Sequence, residues 1–196
     1  SSTFVAVGSS GTILTSSDGS TWTSRTSGTT LDLQRVTYGN NTFVAIAGYN
    51  TIHTSSDGTS WTSRNNGTAA EMYDVTYGNN TFVIACSLDK VLTSSDGSTW
   101  TIRDVGNNTV LRGVTYANST FVAVGSSGAI LTSSDGTSWT SRTSGTSETL
   151  RAITYVNSTF MVVGESGTIL TSSDGISWSA RTSGTSNNLY GVSYKE

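Results

Sequence analysis

The chain has 196 residues, 34% of them hydrophobic and 12% charged, with a net charge of -3. That is the size of one domain, apolar enough to pack a core, and too poor in Lys and Arg to neutralise a run of phosphates, which excludes nucleic acid as a partner class. No stretch approaches the roughly 20 consecutive apolar residues that cross a bilayer. Cys86 is the single cysteine and proline is absent, so no internal disulfide forms and the turns must come from Gly, Asn, Asp and Ser.

Taken in chain order, TFVAVG (3–8), TILTSS (12–17), TWTSRTS (21–27) and LQRVTYG (33–39) have strand character and are separated by turn text, GSSG, SDGS and a stretch around SGTT. GNN then leads into TFVAIA, and the same four runs return. Trp22, Trp61, Trp100, Trp139 and Trp178 step by 39 residues, as do Asp18, Asp57, Asp96, Asp135 and Asp174. The chain therefore divides into repeats 1–39, 40–78, 79–117, 118–156 and 157–195 within one domain, 1–196. No segment has the three-to-four apolar spacing of a helix. Four short antiparallel strands per unit and five units predict an all-β fold, a five-bladed β-propeller with pseudo-fivefold symmetry.

The chain opens on the second strand of a unit and ends on LYGVSYKE, which matches the first-strand text LQRVTYGN. Residues 189–194 are therefore expected to pair with residues 3–8, a velcro closure in which one blade takes strands from both ends. Such a clasp removes two sheet edges that would otherwise template aggregation.

TSSDGSTW (15–22) recurs as TSSDGTSW, TSSDGSTW, TSSDGTSW and TSSDGISW. Asp-Gly suits a tight hairpin, because glycine takes positive φ without steric cost and the carboxylate accepts local N–H groups. A fully buried Trp removes about 150–250 Å² from water, roughly 4–6 kcal/mol at ~25 cal/mol/Å² as an upper bound. The five Asp and five Trp are assigned to structure, since identical residues on five blades point five ways, whereas catalysis needs different groups converging. The phrase resembles the Asp-box turn of sialidase-like and photosystem II assembly factor-like propellers, one residue shorter between Asp and Gly than the usual motif. The surrounding text resembles highly repetitive bacterial propellers of this class, and the blade count resembles tachylectin-type lectins. The resemblance implies a binding or assembly role. It brings no catalytic set, because the unique acid, tyrosine and arginine cluster of a sialidase has no counterpart here.

The copies differ in two windows: the loop between the second and third strands (VGSSGTIL, IAGYNTIH, ACSLDKVL, VGSSGAIL, VGESGTIL) and the linker into the next unit (TSGTTLDLQR, NNGTAAEMYD, DVGNNTVLRG, TSGTSETLRA, TSGTSNNLYG). Alternation of strand direction places both windows on the face opposite the Asp-Gly turns, and loops on a rigid scaffold commonly carry recognition. Tyr49, Asn50, Tyr73, Asp89, Lys90, Arg112, Arg151, Glu165 and Tyr190 are the candidate ligand-binding residues there. His53 stands where other copies have Leu, and Cys86 where others have Gly or Ala; both read as packing.

These features predict a non-enzymatic, lectin-like module for carbohydrate or cell-surface recognition. The alternatives are a protein-assembly scaffold and a recently amplified or engineered propeller without a specific ligand. No catalytic residue, metal site or cofactor is implied. The expected partners are glycans or a surface protein, with no membrane insertion, a monomeric state and an extracellular or cell-surface setting.

Overall fold

In the computed structural model, which describes residues 3–48, 51–106 and 109–194, every copy of the repeat text becomes extended chain. The first runs form β1 (Phe4–Val7), β2 (Ile13–Ser16) and β3 (Thr23–Arg25). The second group is β4 (Leu33–Gly39), β5 (Thr42–Ala47), β6 (Thr51–Ser55) and β7 (Thr62–Asn65). The third is β8 (Met72–Gly78), β9 (Thr81–Cys86), β10 (Lys90–Ser94) and β11 (Thr101–Asp104). The fourth is β12 (Leu111–Ala117), β13 (Thr120–Gly125), β14 (Ile130–Ser133) and β15 (Thr140–Arg142), and the last is β16 (Leu150–Val156), β17 (Thr159–Gly164), β18 (Ile169–Ser172) and β19 (Ser179–Arg181). Each group is one antiparallel sheet with strands in sequence order, four of them four-stranded and the first three-stranded. Among the described residues no helix is long and apolar enough to cross a membrane.

Five such sheets, facing one another in sequence order, make a five-bladed β-propeller. β9 and β13 are buried over most of their length, as befits strands covered on both faces by neighbouring sheets. Phe82, Phe121 and Phe160 are fully buried, each with its ring 4.5–4.6 Å from a Tyr of the inner strand (Tyr77, Tyr116, Tyr155) and 6.4 Å from the Trp of the outer strand. The sequence assigns the largest burial to Trp. The structure assigns it to Phe: the indoles stay partly exposed, because each Nε1 donates to the corner glycine's carbonyl (Trp100 to Gly97 O, 2.9 Å) and holds the ring at the sheet's rim.

The corner is fixed locally. Asp135 Oδ1 accepts from Thr137 N (2.7 Å), Ser138 N (2.9 Å) and Ser133 Oγ (2.9 Å), while Ser133 Oγ accepts from Gly136 N (2.8 Å). Bonds to the same atoms recur at Asp18, Asp57, Asp96 and Asp174. The repeated arginines reach across the sheet to a hydroxyl, as in Arg142 Nε donating to Thr132 Oγ1 (2.9 Å).

The inner strand of each four-stranded sheet carries a register shift near its start, between Leu33 and Arg35, Met72 and Asp74, Leu111 and Gly113, and Leu150 and Ala152. A bulge inserts one unpaired residue and re-aims its side chain. The unpaired residues are Gln34, Tyr73, Arg112 and Arg151.

Among the described residues no strand ladder is assigned between residues 189–194 and residues 3–8, and nothing in the structure opposes that pairing. Residues 188–194 carry no strand assignment, and Leu189 N donates to Gly164 O (2.9 Å) just as Leu33 N donates to Gly8 O (3.0 Å) where the chain enters the paired inner strand of the second sheet. At the ends of the array Phe4 is 51% exposed, Tyr190 67% and Tyr194 49%.

Candidate functional site

The two variable windows meet on one face, as expected from strand alternation, and they are stitched together by backbone bonds. Met72 N donates to Gly48 O (2.7 Å), Ser87 N to Glu71 O (2.9 Å), Ser126 N to Val110 O (2.9 Å) and Glu165 N to Thr149 O (2.9 Å). In the first, fourth and fifth sheets the loop is a tight turn at Ser9–Gly11, Ser126–Gly128 and Glu165–Gly167.

At the mouth of this face the bulges bring three of the candidate residues, Tyr73, Arg112 and Arg151, into a row with Glu165 of the Glu165–Gly167 turn and Tyr190. The Arg112 guanidinium lies 5.0 Å from the Tyr73 ring centroid, and that of Arg151 lies 5.1 Å from Tyr190. Glu165 sits between them, ion-paired with Arg151. The Arg151 hydrogen bond, with smaller pulls from a Thr149 hydrogen bond and the Arg112 charge, holds its carboxyl below the ordinary range. The Nε atoms of Arg112 and Arg151 are both buried without a hydrogen-bond partner. Tyr73 donates its hydroxyl to Glu71 Oε2 (2.6 Å), which fixes the ring under Arg112.

Asp89 and Lys90 belong to a separate group. Asp89 Oδ1 accepts from Thr109 N (2.5 Å), and Lys90 Nζ pairs with Asp104 at 2.7 Å, so both side chains serve their own loop and strand. Tyr49 and Asn50 lie outside the described residues.

Asp74, Arg35 and Glu71 join the rim without having been singled out from sequence. Asp74 accepts from Val75 N (3.0 Å) with Oδ1 and from Val114 N (3.0 Å) on the next inner strand with Oδ2, and Arg35 Nε is 3.6 Å away. Burial pushes its carboxyl above the ordinary range against the pull of those groups. A signal existed in the copies, which read Arg35, Asp74, Gly113, Ala152 and Gly191 at one place, opposite charges on successive sheets.

Two groups capable of chemistry are withdrawn from it. Burial pushes the Cys86 thiol up to about 12, far from a reactive thiolate. His53 is fully buried, neither ring nitrogen makes a hydrogen bond of normal geometry, and burial lowers its pKa below 6.5 against a smaller opposing pull from the Ser27 backbone.

No family model matches the chain, and no curated protein matches it. Among solved structures, the chain resembles the computationally designed Ika8 protein at 13% identity and TM-score 0.77, with 100% of this chain and 63% of that chain covered. It also resembles YCF48, from Cyanidioschyzon merolae at 14% identity and TM-score 0.74 (98% and 74% covered), and in a structure described as bound to D1 peptide at 19% and 0.69 (91% and 63% covered). An ancestral GH74 enzyme matches at 16% and 0.60, over 74% of this chain and 23% of the enzyme. The chain thus spans less than two thirds of the designed protein and of the peptide-bound YCF48. At these identities the likeness carries the fold alone: the chain is a β-propeller, the architecture of the designed protein and of YCF48.

Proposed function

We propose that the protein is a non-enzymatic recognition module that holds an acidic segment of a polypeptide against the inner rim of its variable face. The observation that carries this reading is the row Tyr73–Arg112–Glu165–Arg151–Tyr190. The row contains two guanidinium groups and one carboxylate, Glu165, bonded to Arg151, with Glu71 beside it accepting from the Tyr73 hydroxyl. Arg112 keeps a buried Nε without a hydrogen-bond partner, and a planar guanidinium takes a carboxylate in bidentate fashion. Its ring partner and the bulge hold it in place beforehand, which lowers the cost of ordering it on binding. One face of each of Tyr73 and Tyr190 already carries a guanidinium group, which supports the polypeptide reading over the lectin-like one at this rim. The likeness to a propeller solved with a peptide agrees at the level of fold.

The test is calorimetric titration with an acidic peptide library at low and high salt. Arg112→Ala is expected to weaken binding at least tenfold while leaving thermal stability unchanged. Equal affinity for the unmodified chain, Arg112→Ala and Arg151→Ala would overturn the reading.

A carbohydrate reading draws support from the opposite face. There, clefts of about 300 Å³ and 290 Å³ recur at successive sheet boundaries, lined by Thr81, Thr93, Arg103 and Asp135 and by Thr42, Thr54, Arg64 and Asp96. Hydroxyls with a separated guanidinium and carboxylate suit a polyhydroxyl ligand. A glycan array checks it, and loss of a glycan signal in Arg64→Ala with Arg103→Ala would locate it there.

A further inference from the structure

Asp–Gly and Asn–Gly are the pairs in a protein chain most open to self-modification, because glycine has no side chain to shield its amide nitrogen. That nitrogen bonds to the preceding Cγ and closes a five-membered succinimide, with water leaving from Asp or ammonia from Asn. Water then adds back at either ring carbonyl. One of the two products runs the backbone through the β-carbon, which inserts a methylene into the main chain and would undo a tight turn. The sequence contains six such pairs, the five Asp–Gly corners and Asn66–Gly67. In all six, the glycine N–H is taken by a side-chain oxygen that precedes it. Ser16, Ser55, Ser94, Ser133 and Ser172 accept through Oγ from the corner glycines at 2.8–2.9 Å. Gly67 lies in a linker turn of different sequence, and its N–H donates to Asn65 Oδ1 (2.8 Å). Two unlike turns thus arrive at one arrangement.

We propose that these oxygens guard the chain against its own cyclisation: Ser133 and its four equivalents suppress isoaspartate formation at the corners, and Asn65 suppresses deamidation of Asn66. The group under attack is held as firmly as the attacking nitrogen. Asp135 Oδ1 accepts from Thr137 N (2.7 Å) and Ser138 N (2.9 Å), so its Cγ swings onto Gly136 N only when both bonds break. Asn66 Oδ1 accepts from Thr68 N (3.0 Å) while its Nδ2 donates to Met72 Sδ (3.2 Å). The backbone N–H groups of Ser138 and Ser177 are the chief pull that keeps the Asp135 and Asp174 carboxyls below their ordinary range, and the neutral acid from which water departs is correspondingly rare. At Asn66 the damage would be greatest. That residue is 2% exposed, and deamidation would set a buried carboxylate against Met72 Sδ where an amide now donates.

The test compares the folded, unmodified chain with Ser133→Ala, both incubated at neutral pH, then digested and read by fragmentation mass spectrometry for isoaspartate at each corner. Loss of the acceptor is expected to raise the rate at Asp135 about fivefold, the factor carried by one ordinary hydrogen bond. Asp18, Asp57, Asp96 and Asp174 are expected to keep the unmodified rate. Those four corners report unfolding, which would expose all five alike, so a guarding role is separated from a merely stabilising one. Asn65 is exposed and gives a second probe that does not endanger the fold. Asn65→Ala is expected to speed deamidation of Asn66, whereas Asn65→Asp, which keeps the accepting oxygen, is expected to leave it slow. An unchanged rate at Asp135 in Ser133→Ala, a rise shared by all five corners, or equal deamidation in the two Asn65 variants overturns the proposal.

Discussion

The corner at Ser133–Trp139 and the loop at Ser126–Gly128 cap opposite ends of one sheet, and both are held rigidly, but by partners at different distances along the chain. Every bond of the corner closes within seven residues: Ser133, Asp135, Gly136, Ser138 and Trp139 satisfy one another. The loop is held by the linker instead, with Ser126 N donating to Val110 O and Ser126 Oγ accepting from Val110 N, 16 residues away. A locally closed device copies itself unchanged into every repeat, because no other segment must agree with it. A loop held from a distance can change whenever its linker changes too, and that freedom is what lets one face of the molecule acquire individuality.

The contrast predicts that the variable face is not free of constraint at every position, and glycine is the sharpest probe. Gly128 has φ +69, and a Cβ there would be driven onto the Thr146 carbonyl; Gly145 has φ +77 with open space around it. Gly128→Ala is expected to cost about 3 kcal/mol or more, combining backbone strain with a clash against main chain. Gly145→Ala should cost about 1–2 kcal/mol, the left-handed penalty alone. Urea denaturation of the two variants separates these values; equal losses would mean the linker yields, and the loop is not pinned by it.

On the other face, Ser133→Ala removes the acceptor of the buried Gly136 N–H. An orphaned buried donor costs about 1–3 kcal/mol, and because the corner closes locally no distant group can relax to replace the hydroxyl. The same change at Ser126, where the loop is partly exposed, should cost less, since water can take the place of the lost partner. A larger loss at Ser126 would reverse the comparison.

Legibility in sequence follows the same division. The strands, the Phe positions and the Asp-Gly corner could be read because each is determined within a few residues and repeated five times. The sheet-to-sheet features could not. The bulge that lifts Tyr73, Arg112 and Arg151 to the rim leaves no turn residue behind, and Asp74 is satisfied by Val114 N, 40 residues on. The indoles were assigned too much burial because their size is visible in sequence while the Gly carbonyl that holds them at the rim is not. The rim residues were chosen by comparing copies, and that comparison found Arg112 and Arg151 but grouped Asp89 and Lys90 with them, whose partners Thr109 and Asp104 lie in their own neighbourhood.

His53 is where one copy departs from the others inside the core. Both its ring nitrogens are buried without a hydrogen bond of normal geometry, and the remaining copies place Leu there (Leu14, Leu92, Leu131, Leu170). His53→Leu is expected to stabilise the protein by about 1–2 kcal/mol, the cost of an unsatisfied buried polar group. Burial lowers the pKa of His53 in the folded state below 6.5. Its neutral form therefore supports the fold above that value, and the support is lost as pH falls from 6.5 through the folded pKa. The substitution should flatten the thermal-stability profile between pH 6.5 and that lower value, and a profile unchanged by it would remove the histidine as the cause.

The smallest effect is the corner carboxylates' own titration. Backbone N–H groups of Ser177 and Ile176 and the Ser172 hydroxyl lower Asp174 from 3.8 to about 2, and Asp18, Asp57, Asp96 and Asp135 are shifted in the same direction by the equivalent groups. A depressed carboxyl contributes stability that is present above 3.8 and lost as pH falls through the folded value, so the loss is expected between about pH 4 and 2. Asp74 acts with the opposite sign: burial raises it, so its support is greatest when protonated and diminishes as pH rises through its folded value. Because that support grows as pH falls, an acid titration followed by tryptophan fluorescence should fall at higher pH for Asp74→Asn than for the unmodified chain if the rim opens before the corners. If the two curves coincide, the corners fail first, and the locally closed face sets the acid limit of the whole molecule.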